Sequence, residues 1–247
     1  MTYIPKSHPR YLSLLTRERL VDMMHRGIVS EAGLIAHGRG EAFDYLLGEK
    51  TGDFAMEAER VAVSMLLSAE RPVISVNGNA AALAGKEILE LGRIVGSVVE
   101  VNLFHRTEER VRAIVEYLES LGGSGILGPE PDARIPGLDH ARALCHTDGI
   151  YSADVVLVPL EDGDRAQALK MMGKTVVTID LNPLSRTART ADVTIVNNIV
   201  RAMPEMVSMA SEMRERPEEE LLQIIASYDN EKSLKKSLTE MLRLVEG

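Results

Sequence analysis

The sequence has 247 residues, 45% hydrophobic and 26% charged, with a formal net charge of -9. This composition suits one large globular domain, and its acidity argues against a nucleic-acid partner, because phosphate backbones are met by basic faces. There is no apolar run long enough to span a membrane and no signal-peptide core in the stretch from Met1 to Arg10; the lone Cys145 offers no intrachain disulfide, so a cytoplasmic location is expected.

Residues 9–70 read as helical. From Arg10 to Arg26 the apolar positions Leu14, Leu15, Leu20, Val21 and Met24 fall at helical spacing, and Gly27 is a natural stop. Gly40 to Leu47 and Asp53 to Ala69 extend this layer. From Pro72 the pattern changes to short apolar runs alternating with amphipathic segments. The runs are 73–77, 97–101, 125–127, 154–158, 175–179 and 193–196; helical stretches at 80–92, 107–121 and 165–172 lie between them. Such alternation predicts an α/β fold with a Rossmann-like, mainly parallel sheet and helices on both faces. Residues 201–247 return to helix, with Met203, Met206, Met209 and Met213 on one face, either as core or as an adaptable surface. The expected organisation is one domain over 1–247: a helical layer (1–70), a sheet core (71–200) and C-terminal helices (201–247).

Ligands of open parallel sheets bind beyond the carboxyl ends of the strands, and the loops there are polar. Asn77-Gly-Asn79 opens a helix directly, so Asn79 is either a cap or part of an anion site. The second strand leads to Asn102, His105 and Arg106, where a guanidinium can grip a phosphate or simply decorate a capped helix. The fourth leads to Glu161, Asp162 and Asp164, which suit Mg2+, a substrate ammonium or merely a helix amino end. The fifth leads to Asp180-Leu181-Asn182 and then Arg186-Thr187, with Pro183 forcing a loop; the sixth leads to Asn197-Asn198-Ile199. In the N-terminal layer, His37-Gly-Arg39-Gly-Glu41 places an arginine between two glycines, as either an anion site or a surface turn. No metal-ligand spacing is found among the six histidines, neither G-x-G-x-x-G nor a Walker loop is present, and Cys145 reads as a buried thiol.

Taken together, residues 4–11, 33–45, 76–79, 102–110, 152–165 and 180–187 resemble the archaeal 4-phosphopantoate–β-alanine ligase (phosphopantothenate synthetase) family, and the likeness extends from about residue 4 to about residue 215. The resemblance implies an AMP-forming carbon–nitrogen ligase of coenzyme A biosynthesis. ATP activates the carboxylate of 4-phosphopantoate as an acyl-adenylate, β-alanine attacks, and 4'-phosphopantothenate, AMP and diphosphate leave. It further implies Mg2+, a homodimer, and an ATP site made of Arg17, Arg39, Asp180, Leu181, Asn182, Arg186, Thr187, Asn198 and Ile199. From their position at neighbouring strand ends, Asn79, His105 and Arg106 are expected at the phosphopantoate phosphate, and His105 or Glu161 as the base for the amine. A nicotinamide oxidoreductase and a non-catalytic ATP sensor are the competing readings.

Overall fold

The computed structural model describes residues 4–160 and 162–246. Three helices come first: α1 (Tyr11–His25), α2 (Glu31–Leu46) and α3 (Asp53–Ser68). The sheet region follows with β1 (Pro72–Val76), α4 (Gly78–Val95), β2 (Val98–Val101), α5 (Glu108–Ser120), β3 (Ala133–Arg134), β4 (Leu144–Cys145), β5 (Val155–Pro159), α6 (Gly163–Met171), β6 (Thr175–Ile179), α7 (Arg186–Thr190) and β7 (Val193–Ile195). The chain ends in α8 (Ile199–Met213), α9 (Glu218–Ala226) and α10 (Asn230–Glu246).

Five strands form one sheet in the order β2-β1-β5-β6-β7, and every pairing in it is parallel. Taking only these five strands in chain order, the arrangement is 2-1-3-4-5, a doubly wound sheet with a single switch point between β1 and β5. It differs from the 3-2-1-4-5-6 order of dinucleotide-binding sheets, which is the finer sense of the Rossmann-like expectation. The expected strand at 125–127 is reduced to one bridge, Leu127 against Glu100. Gly125 (φ +64°) and Gly128 (φ +151°) flank it, so the extended stretch is too short to run along β2. Beyond β2, β3 and β4 instead pair as a small antiparallel ribbon.

The strands carry residues buried on both faces, as a sheet covered twice requires. Ile74, Val76, Val99, Leu157, Val177 and Ile195 point into the larger core with α3, α4, α5 and α8. Val73, Val156, Val158 and Val176 point the other way, onto α6 and the segment 135–153. The methionines of α8 belong to the first core: Met203 and Met206 are fully buried, so that stripe is packing rather than an exposed surface. Gly38 and Gly40 lie inside α2, which starts at Glu31 under a Ser30 cap. Each interior glycine costs a helix roughly 1 kcal/mol, which is why the sequence suggested a turn; packing on α1, α4 and α10 holds the segment helical instead.

Candidate active site

The switch point is where the loops after β1 and β5 diverge, and there they are tied together. Asn77 donates from Nδ2 to the carbonyls of Pro159 (3.0 Å) and Leu160 (3.1 Å), while its Oδ1 caps α4 at the amide of Ala80. Above this tie lies a cavity of about 610 Å3. It runs along the carboxyl edge of the sheet, and α2 forms its opposite wall through Ala36, His37, Arg39, Gly40 and Phe43.

One end of the cavity is built by the loops after β6 and β7. Asp180, Leu181, Asn182, Arg186, Thr187, Asn198 and Ile199 all line it, and Arg39 reaches it from α2. Asp180 accepts the amide of Asn182 (2.9 Å) and the hydroxyl of Ser185, which fixes the turn. Burial raises the Asp180 carboxyl above its usual range, while Ser185, the Asn182 amide and the Arg39 charge hold it back. Gly163 lets the β5 loop close on this turn, since a Cβ there would stand 2.5 Å from Arg186 Cβ and 3.1 Å from the Thr187 amide. The C-terminal helix supports the loops from beneath: Leu234 and Met241 pack with Leu181, Ala188 and Val196, and Asn230 Nδ2 donates to the carbonyls of Ala188 (2.9 Å) and Ala191 (3.1 Å).

A buried polar network locks Asn198 to α2. Asn198 Nδ2 donates to Asp44 Oδ2 (2.8 Å), and Arg201 grips the same carboxylate through both Nη atoms. Arg201 Nε also donates to Asn197 Oδ1 (3.1 Å), and Asn197 Nδ2 donates to Glu59 (2.9 Å). Asp44 and Glu59 are both buried.

The other end of the cavity is lined by Asn79, Leu103, Phe104, His105, Arg110 and Arg142. Asn79 lines it but donates its amide to the Gly33 carbonyl (2.8 Å), joining α4 to α2. His105 is exposed, with its ring edge-on to Phe104 at 5.0 Å. Arg106 does not line the cavity. Its guanidinium turns to the Gly128 carbonyl (2.8 Å) and Glu108 (3.1 Å), so the expected clustering with Asn79 and His105 does not form. Arg106 precedes α5, and Arg110, on the first turn of that helix, lines the mouth in its place. Asn102 is buried and spends its amide on the carbonyls of Arg142 (3.3 Å) and Leu144 (2.8 Å), anchoring the segment that presents Arg142.

Arg17 lies elsewhere, in a second cleft of about 270 Å3 on the far side of α2. It donates to Glu41 from Nε (2.9 Å) and Nη2 (2.6 Å). Burial pushes the Glu41 carboxyl up, but Arg17 and Ser13 outweigh it and keep it below the ordinary range. His37 touches both clefts, and burial lowers its pKa. The acidic run after β5 is already engaged: Asp162 pairs with Arg142 (3.2 Å) and Asp164 with His140 (3.0 Å), while Glu161 lies outside the described residues. Among the described residues, no three His, Cys, Asp or Glu side chains form a metal-holding group. Cys145 is buried and its thiol is pushed up to about 12, chiefly by burial, which makes it inert as a nucleophile.

A family profile described as phosphopantothenate/pantothenate synthetase matches residues 54–244. A protein of Thermococcus kodakarensis named 4-phosphopantoate–β-alanine ligase is 59% identical over 95% of this chain and 90% of its own. Proteins of the same name from Thermococcus onnurineus (55% identical; 100% and 97% covered) and Methanosarcina mazei (54%; 98% and 95%) agree. The chain belongs to the phosphopantothenate/pantothenate synthetase family. The family is therefore carried here on a 2-1-3-4-5 sheet whose cavity is polar at both ends. Sequence reasoning missed Arg110, Arg142, Asp44 and Arg201 at this site. Arg110 was recoverable, being on the first turn of the helix predicted from residue 107, just past Arg106. Arg142 was not, because its place depends on Asn102 gripping a distant loop.

Proposed function

We propose that this protein is an ATP-dependent carbon–nitrogen ligase that condenses 4-phosphopantoate with β-alanine, giving 4'-phosphopantothenate, AMP and diphosphate in coenzyme A biosynthesis. The observation that carries the reading is a single cavity, spanning the carboxyl ends of the strands, with arginines at both ends and the β1/β5 switch point between them. Two anionic substrates repel, and fixed cations and amides offset that repulsion while holding the reacting groups in line.

ATP sits at the β6–β7 end, on Asp180, Leu181, Asn182, Arg186, Thr187, Asn198 and Ile199, with Arg39 above it. The carboxylate of the acid attacks the α-phosphorus and diphosphate leaves. The amine of β-alanine then attacks the acyl carbon, AMP departs, and a base takes the amine proton. His105 is the candidate base that faces the cavity; Glu161 is retained as the second. Mg2+ would enter with ATP as a substrate complex and offset the charge of its phosphates; Asp162 and Asp164, paired with Arg142 and His140, are already engaged. No helix among the described residues is long and apolar enough to cross a membrane, and a cytoplasmic site of action accords with the buried free thiol.

The activity is checked by incubating protein with ATP, Mg2+, β-alanine and 4-phosphopantoate. AMP is expected only when all are present; AMP no higher than in controls lacking acid or amine would reject the ligase and leave an ATP sensor.

The enzyme acts as a homodimer. Leu12, Leu15, Val21, Ile35, Tyr45 and Leu46 are exposed on α1 and α2, a concentration of apolar side chains that a second copy would cover. Arg17 is on this face and away from its own cavity, so its contribution to ATP is made across the interface. Sedimentation should give a dimer, and an Ile35→Glu variant should shift it to monomer. A wild-type monomer at micromolar concentration would exclude this arrangement.

A further inference from the structure

We propose that Arg110 and Arg142 form the subsite for the phosphate of the acid substrate, and so set the preference for phosphopantoate over pantoate. This placement rests on the ligase reading above. The strand order makes the first argument. The nucleotide loops follow β6 and β7, whereas Arg110 follows β2 and Arg142 is held against the end of β2 by Asn102. Three strand spacings, roughly 14 Å, separate β6 from β2. An adenylated acid laid along this edge puts its anhydride over the switch point and its far phosphate at the two arginines.

The second argument is electrostatic. Arg110 is held rigidly by carbonyls: Nε and Nη2 donate to Ile28 O (3.2 and 3.1 Å), and Nη1 donates to His105 O (2.9 Å). Among the described residues no carboxylate pairs with it. Its Nη2 rests on the amino end of α4, where a Cβ on Gly78 would stand 2.8 Å away. That end of a helix is itself positive, and its first amides have no partner within the helix. Arg142 brings a buried guanidinium close enough for its charge, after burial, to depress the pKa of the part-buried Arg110. Two guanidiniums and a helix amino end meet at one cavity mouth, which favours a multiply charged anion there. Asp162 pairs with Arg142 from the loop side (3.2 Å), while Arg110 adds a charge with no carboxylate partner among the described residues.

The third argument is shape. Leu83 and Leu160 also line the cavity, and Leu103 lines it beside the two arginines. They offer an apolar wall for the dimethyl carbon that lies between carboxylate and phosphate in the acid. A guanidinium fork also suits a phosphate better than an ammonium would, through paired donors in one plane.

The test measures AMP formation by the full chain with ATP, β-alanine, and either phosphopantoate or pantoate. Arg110→Gln and Arg142→Gln should each lower kcat/KM for phosphopantoate by roughly 10- to 100-fold. For pantoate the loss should be no more than a few-fold, the ATP KM should hold, and Arg142→Lys should recover part of the loss. An equal loss on both acids, or a raised ATP KM, overturns the assignment; the latter would give these arginines to the triphosphate. A second measurement needs no variant. Inorganic phosphate should compete with phosphopantoate and not with ATP in the wild type, and the absence of competition at tens of millimolar overturns it. Wild type that makes no AMP from phosphopantoate would refute the ligase reading itself, so the two failures are distinct.

Discussion

Replacing Asp44 with alanine is expected to cost about 3–5 kcal/mol of stability, the usual penalty for removing one partner of a buried ion pair. Asp44 is 3% exposed and its carboxylate is occupied on both oxygens, by Arg201 Nη1 (3.2 Å) and Nη2 and by Asn198 Nδ2 (2.8 Å). Without it, Arg201 keeps only Asn197 Oδ1 (3.1 Å) among these contacts, and Asn198 loses the bond that sets its side chain. Because Asn198 caps α8 and lines the end of the cavity proposed for ATP, the damage should extend to function. ATP affinity should fall at least about 10-fold, since a misplaced Asn198 and Ile199 no longer meet the nucleotide and α2 is released from the loop. Urea unfolding at pH 7 reads the first effect and calorimetric titration with ATP the second. Asp44→Asn keeps the volume and one acceptor, so it should fall between wild type and alanine. A loss below 1 kcal/mol with unchanged ATP binding would show that the network neither stabilises the fold nor positions the loop.

The network also marks the limit of what the sequence disclosed. Alternation of short apolar runs with amphipathic segments was enough to give a parallel sheet, because strands buried on both faces are mainly apolar, with Ser75, Glu100, Thr178 and Thr194 as buried exceptions. The loops after the strands drew attention by their polarity, but some of it is structural: Asn77 ties two loops and caps α4, and Asn102 clamps the segment leading into β4. Within those loops, residues local to one segment come together in the fold. Asp180, Asn182, Arg186, Thr187, Asn198 and Ile199 meet at one end of the cavity, as a contiguous loop reading allows. Residues whose direction depends on another element were not. Arg106 stands just ahead of α5 and Arg110 on its first turn, and only the fold shows which of them faces the cavity. Asn102 looked like a ligand and is a structural clamp, because its partner carbonyls arrive from forty residues away. Arg17 could be assigned to the nucleotide only by resemblance; its own chain puts α2 between it and the cavity. His37-Gly-Arg39-Gly-Glu41 suggested a turn from its glycines, yet tertiary packing overrides their helix cost.

The second large effect concerns pH, and it lies in Glu59. This side chain is fully buried on α3. One oxygen accepts the Asn197 amide (2.9 Å), while the other accepts no hydrogen bond among the described residues. Burial drives its carboxyl up to about 9, the Asn197 bond works against that, and the neighbouring Glu205 charge adds to it. Glu59 is therefore protonated in the folded protein through neutral pH, whereas in the unfolded chain it ionises at the ordinary value near 4.5. Between these two values the folded state binds the extra proton, so stability falls as pH rises. The contribution is fully present below about 4.5 and is lost progressively as pH rises to about 9. Each unit in that window costs at most ~1.4 kcal/mol, giving an upper bound of ~4 kcal/mol between pH 5 and pH 8. Glu59→Gln imitates the protonated form, keeps an acceptor for Asn197 and has nothing to titrate. The variant should match wild type within about 1 kcal/mol at pH 5 and exceed it by at least ~2 kcal/mol at pH 8. Every other titrating group is common to both proteins, so the difference between their urea-unfolding curves isolates this one carboxyl. Parallel pH profiles for the two proteins would mean that Glu59 is ionised in the fold, with Asn197 and Arg201 compensating a buried charge instead of a shared proton.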